Sequence, residues 1–218
     1  ARSKAHPLLP PPVDSLDALL AMELDVLHVT SPNDVHAAQA TAAIEAGIAV
    51  ICEKPLGISA AETARLVAAA DQAGVVNAVC FNLRYYPQNQ QASGIVAAGE
   101  IGPARFASGH YLQDWLLRDT DWNWRLDATR QGKLRSVADI GSHWIDLVSF
   151  VAGQRVTAVC ADLHTFVPVR NRPAGEVETF TSSAADEPRV AEEMSSDDAA
   201  GVLLRFDGGA RATCSISQ

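Results

Sequence analysis

The segment Asp139-Ile-Gly-Ser-His143-Trp-Ile-Asp146 carries the most chemically suggestive spacing in this 218-residue chain. On a helix, positions 139, 143 and 146 lie four and three residues apart, so two carboxylates and an imidazole share one face. Such a row can hold the imidazole as a proton acceptor with its tautomer fixed. The same letters suit a surface helix whose acidic start is favoured by the helix dipole. A metal is the weaker reading, because one histidine stands there without a second ligand cluster nearby. Lys54, between Glu53 and Pro55, follows an apolar run directly. Partial burial at the end of a strand would suit it to proton transfer, although most lysines are simply solvated. Trp115, Trp122 and Trp124 with Arg125 form an aromatic, partly polar stretch. It could stack on a sugar ring, pack between sheet and loop, or meet another subunit.

The elements that position these residues fall into two groups. Leu24–Val29, Ile48–Cys52 and Val75–Phe81 read as short buried strands. Between them run helices, the first capped by Asn33 and stopped by Gly47. The second is opened by the box Ser59-Ala-Ala-Glu62 and stopped by Gly74. Strands joined by helices predict right-handed crossovers and a parallel sheet, with ligands beyond the carboxyl ends of the strands. That topology gathers Thr30-Ser31-Pro32-Asn33, Glu53-Lys54, and Asn82 with Arg84 around one crevice.

From Pro87 the pattern changes. A helix to Gly99 precedes a strand at Ala104–Gln113, an irregular stretch at Asp114–Arg135 and a helix at Asp139–Val151. Strands follow at Val156–Thr165, Val177–Ser182, Gly201–Phe206 and Ala210–Ser217, the last two joined by a turn at Asp207-Gly208-Gly209. The fold class is therefore α/β: an incomplete Rossmann-type parallel sheet in residues 1–86, then an α+β domain with a large, mostly antiparallel open sheet in 87–218. His28 and His110 read as core histidines, His164 as structural, and the acidic stretch Asp186–Asp198 as a solvated loop.

Composition narrows the class. A net charge of −9 disfavours a nucleic-acid surface, which needs a basic face. No apolar run reaches the roughly 20 residues of a membrane span, and Ala1–Pro12 lacks the apolar core of an export signal. Cys52, Cys80, Cys160 and Cys214 lie far apart with no Cys-x-x-Cys pair, reading as buried free thiols in a reducing cytoplasm. No Gly-x-Gly-x-x-Gly is present, and the final residues read as a strand, so the chain is expected to be truncated at both ends.

Glu53-Lys54-Pro55 after a strand, then Asn82-x-Arg84-Tyr-x-Pro87, then Asp139-Ile-Gly-Ser-His143-x-x-Asp146, in that order and spacing, resembles the glucose–fructose oxidoreductase / inositol dehydrogenase family. The resemblance runs from about Ser15 onward. It implies NAD or NADP as cofactor and a sugar, sugar derivative or cyclitol as substrate. It also implies assembly as a homodimer or homotetramer through the open sheet. By the same resemblance Lys54, Asp139 and His143 are the catalytic residues. His143 would be the base that removes a hydroxyl proton, Asp139 would bind substrate and support that base, and Lys54 would touch both nicotinamide ribose and substrate. Thr30, Ser31, Pro32, Asn33 and His36 would lie along the cofactor, with Glu53, Asn82 and Arg84 near the nicotinamide. Trp122, Trp124 and Arg125 would line the substrate. The alternative is a non-catalytic relative that keeps the fold as a binding or oligomerisation module. Relatives of the family also include hydrolases and reductases of other substrates.

Overall fold

The computed structural model describes residues 12–175 and 188–218. They form two compact units, one of residues up to Ser31 with Val35–Cys80, the other of Pro32–Asp34 with Phe81–Gln218. The segment Asn82–Tyr85, expected in the first domain, thus belongs to the second unit, where Arg84 pairs with Asp146.

The first unit contains α1 (Leu16–Leu20), β1 (Val26–Val29), α2 (Asn33–Glu45) apart from its first two residues, β2 (Ala49–Cys52), α3 (Ala60–Ala73) and β3 (Asn77–Val79). The strands lie in the order β1-β2-β3 and both pairings are parallel, as the alternation of strand and helix requires. Leu27, Val29, Val50 and Cys52 point inward onto Ala40, Ala43 and Ile44 of α2 and Leu66 and Ala70 of α3. Because strand side chains alternate between faces, His28 points the other way and is exposed, contrary to its expected core position. Ser59 Oγ caps α3 by accepting from the Glu62 N–H at 3.2 Å. The Glu62 carboxylate closes the box onto the Ile58 N–H at 2.8 Å, one residue earlier than the usual pattern. Gly74 ends α3 at φ 66°.

The second unit contains α4 (Pro87–Ala97), β4 (Phe106–Leu112), α5 (Ala128–Gln131), α6 (Ser142–Ala152) and five further strands. These are β5 (Val156–His164), β6 (Val169–Pro173), β7 (Arg189–Glu193), β8 (Ala199–Phe206) and β9 (Arg211–Ser217). The main sheet runs β4-β9-β8-β5, antiparallel except for the β4–β9 pair. Gly209, at φ 91°, turns β8 into β9 where the hairpin was expected. Val202, Leu204, Phe206, Ala212, Cys214 and Ile216 form its inner face, covered by Trp144, Ile145 and Val148 of α6. The outer face is open, with Phe106 64% and Leu203 54% exposed. His110 and Cys160 are exposed in this sheet too, so neither is the core residue expected; His164 stacks edge-on Phe166. β6 and β7 form a separate antiparallel ribbon that no apolar alternation announced. The expected strand Val177–Ser182 lies outside the described residues.

Two consequences can be measured. A Cβ at Gly109 would stand 2.7 Å from Trp144 Nε1, so α6 packs on β4 only because that position is bare. Gly109→Ala is expected to lower stability by about 1–3 kcal/mol in thermal or denaturant unfolding. Burial pushes the Cys52 thiol up to about 12, with Glu53 adding to it, and the Cys214 thiol up to about 11. Both should resist alkylation at neutral pH until the protein is unfolded, as read by mass spectrometry.

Candidate active site

The expected helix at 139–151 begins differently. Val137–Gly141 is a π turn, closed by the Ser142 N–H on the Val137 carbonyl five residues back, and α6 continues from it. The wider turn separates the duties of the three acidic and basic residues. Asp139 is buried, and its Oδ2 accepts from Gln218 Nε2 at 2.6 Å while Oδ1 lies 3.4 Å from Arg125 Nε. His143, one turn on, packs edge-on Phe81 (centroids 5.8 Å apart) and tilted on Tyr111 (6.4 Å). Asp146 serves neither: both its oxygens are taken by Arg84, at 2.7 and 2.5 Å. Such short π segments recur at functional sites, where they re-aim one side chain.

Arg84 was expected near a cofactor. The structure instead binds it bidentately to Asp146, with the guanidinium 5.2 Å above the Phe150 ring. The Asp146 hydrogen bonds hold Arg84 above its usual value against partial burial. This pair joins the exposed Asn82 turn to the helix that carries His143.

The tryptophan-bearing stretch converges on Asp139 through Arg125. That guanidinium stacks on Trp124 at 4.6 Å and on Trp115 at 5.6 Å, and Asn123 caps the short turn by accepting from the Arg125 N–H. Trp122 lies elsewhere, under Arg172 at 6.0 Å. Asn33 and Asp34 group with this unit. Asn33, the first residue of α2, donates from Nδ2 to Gln131 Oε1 at 2.7 Å, while Asp34 pairs with Arg130 at 3.6 Å.

In the first unit, the polar residues sit at the carboxyl ends of β1 and β2, aligned by the Val29–Cys52 pairing. Thr30 is exposed and Lys54 half-buried, just before a cis peptide bond to Pro55. Glu53 accepts from the Lys54 N–H at 3.2 Å and from the Cys80 thiol, which burial, Glu53's charge and that bond together raise. Ser31 donates to Gln39 at 2.6 Å. His36 is fully buried, with Nδ1 2.9 Å from the Pro55 carbonyl and Nε2 2.6 Å from the Ser31 carbonyl. It ties the two strand-end loops together and presents neither ring nitrogen outward.

The acidic stretch holds the largest surprise. Asp197 and Asp198, expected in a solvated loop, are buried. Asp198 receives Arg135, Arg170 and the Val167 N–H; Asp197 receives the N–H groups of Arg135 and Val137 and the Ser136 hydroxyl. Arg135 Nη1 continues to Gln218 Oε1 at 3.1 Å, whose amide reaches Asp139 and Gln113. Gln218, Arg135 and Arg170 were absent from the sequence-based expectations, since partners so distant along the chain leave no local pattern. Among the described residues, no cluster fit to hold a metal occurs, and no helix is long and apolar enough to cross a membrane.

With this geometry in place, comparison defines the class. Residues 89–218 match the GFO/IDH/MocA C-terminal domain, and residues 3–81 match the oxidoreductase family with an NAD-binding Rossmann fold. The chain belongs to this oxidoreductase family. It is 32% identical over 190 residues to the levoglucosan dehydrogenase of Pseudarthrobacter phenanthrenivorans, covering 86% of this chain and 48% of that relative. It is also 32% identical over 157 residues to the D-xylose 1-dehydrogenase (NADP(+)) 2 of Haloferax volcanii, covering 71% and 47%. Among solved structures, levoglucosan dehydrogenase in complex with NADH and levoglucosan superposes with a TM-score of 0.81 at 28% identity, over 94% of this chain and 51% of that one. The chain spans about half the length of the curated relatives it matches.

Proposed function

We propose that the full-length gene product is an NAD- or NADP-dependent dehydrogenase that oxidises a secondary alcohol of a sugar, sugar derivative or cyclitol, or reduces the matching ketone. The observation that carries this reading is the buried Asp139 carboxylate, set one turn before His143 and joined through Arg125 to the faces of Trp115 and Trp124. A carboxylate and an imidazole beside aromatic faces suit a polyol, whose hydroxyls need acceptors and whose C–H faces need stacking. The named relatives support the same substrate class.

His143 removes the hydroxyl proton, Asp139 accepts a neighbouring substrate hydroxyl and steadies the base, and Lys54 orients and polarises the reacting oxygen. The bound nicotinamide supplies the hydride acceptor. Thr30, Glu53 and Lys54, at aligned strand ends with a cation and a carboxylate half-buried, fit the nicotinamide-ribose end of a dinucleotide; Pro32 and Asn82 keep the cofactor role that the family resemblance gives them. Ser31 and His36 are engaged within the first unit and shape its strand-end loops, while Asn33 and Arg84 are engaged within the second. Trp122 is the weakest of the substrate assignments, being held under Arg172. The open face with Phe106 and Leu203 suits a homodimer or homotetramer, which light scattering would test against a monomeric mass. Four free thiols suit a reducing cytoplasm.

The test is nicotinamide reduction by the purified full-length protein, with NAD and NADP against a panel of sugars and cyclitols. Turnover of one sugar class, lost in Lys54→Ala, is the expected result. Silence across the panel with NADH still bound would sink the sugar reading.

A further inference from the structure

We propose that Arg170 is a positioning residue that sets sugar selectivity, by fixing the loop from Asp114 to Arg125 in the shape that brings Arg125 to Asp139. The inference rests on the sugar-dehydrogenase reading and deepens it.

Arg170 stands on β6 and is fully buried, as is Arg135. One end of its guanidinium is anchored, with Nη2 3.2 Å from the Asp198 carboxylate. The other end holds the loop: Nη1 donates to the carbonyls of Leu116 at 2.9 Å and Arg118 at 2.8 Å, and lies 3.4 Å from that of Asp121. The rest of the β6–β7 ribbon does the same work. The Asn171 N–H donates to the Asp119 carbonyl at 2.8 Å, and Arg189 Nη1 to the Thr120 carbonyl at 2.9 Å. A loop outside the main sheet's ladders is thus held at five of its residues by side chains and backbone of one ribbon. The Leu116 carbonyl is buried, where an unpaired acceptor is costly, and the other bonds add to it in favouring one conformation of the loop.

The loop carries the groups that face a polyol. Trp115 and Trp124 flank Arg125, and Arg125 reaches Asp139. The same Asp198 that anchors Arg170 also receives Arg135, which holds Gln218, which donates to the other oxygen of Asp139. Both oxygens of Asp139 are therefore positioned from one buried carboxylate, one side through the loop and the other through Gln218. The arrangement discriminates among polyols by where it places acceptors and aromatic faces.

The experiment uses the full-length protein with Arg170→Met, which keeps the bulk and removes the donors, and Arg189→Met, which frees Thr120 without stranding the buried carboxylate. Amide hydrogen exchange across residues 114–126 is measured first, then NADH affinity, then kcat and KM for the sugar panel. Exchange is expected to rise in both variants. KM for the preferred sugar should rise about tenfold in Arg170→Met and less in Arg189→Met, with NADH affinity kept and the ranking of sugars altered. Arg170→Lys, which restores a single donor group, should recover part of the loss. Unchanged exchange in both folded variants would overturn the inference whatever the activity, and so would raised exchange with the sugar ranking intact. If Arg170→Met fails to fold, Arg189→Met decides by the same readings. A parent protein silent on every sugar overturns the function reading and selectivity with it, while raised exchange in the variants would still assign the loop's position to Arg170.

Discussion

Alanine at His143 is expected to lower kcat by about a hundred- to ten-thousand-fold, the range for removing a positioned general base. The ring packs against Phe81 and Tyr111 on a helix start that is otherwise held by Asp139 and its partners. On the proposed mechanism the substitution therefore removes the proton acceptor while leaving the elements around it in place. NADH affinity should be unchanged, and kcat and kcat/KM should fall together, because the interaction is one made in the transition state. A variant that loses cofactor affinity but keeps kcat would mean that His143 serves packing, with proton removal done elsewhere.

Asp198→Ala is expected to destabilise the protein by about 3–5 kcal/mol, the range for stranding a buried charge. Arg135 and Arg170 are both fully buried. Burial already pushes the Arg135 guanidinium below its usual value, and Asp198 is the largest influence opposing that. Two arginines against Asp197 and Asp198 leave the buried cluster neutral; removing one carboxylate leaves an uncompensated cation where water does not reach. The same change also orphans the Val167 N–H. Thermal and denaturant unfolding would show the loss, and a value below about 1 kcal/mol would mean that water or another anion reaches the arginines.

These two sites differ in how far the sequence disclosed them. The parallel unit was legible because each strand is a compact apolar run and Gly47 and Gly74 mark where the helices stop. The β8–β9 hairpin was legible from its alternation and its Gly-Gly turn. Asp139 and His143 stand one turn apart as their spacing suggested, but the π turn was hidden, since Asp-Ile-Gly-Ser-His reads equally well as an ordinary helix start. The assignment of Asp146 to the same trio fails for a physical reason: Arg84, 62 residues away, offers two donors to it. Asp197 and Asp198 looked solvated because a run of like charge usually is. Their partners lie as far as 63 residues away, and burial of a charge depends on partners that no local pattern announces. The β6–β7 ribbon escaped for a related reason. Its residues include Arg170 and Arg189, which hold carbonyls, and Asn171 and Arg172, whose side chains meet the Asp119 and Glu192 carboxylates.

On the proposed function, hydride passes from a sugar carbon to nicotinamide with His143 taking the hydroxyl proton. The most direct test is to supply the full-length protein with the sugar it turns over, deuterated at the carbon oxidised, and to read the reduced nicotinamide by mass spectrometry. Deuterium in the nicotinamide ring, formed far more slowly by His143→Ala, is the predicted result. Sugar consumed while the reduced nicotinamide carries no deuterium, or equal transfer with and without His143, would contradict the account.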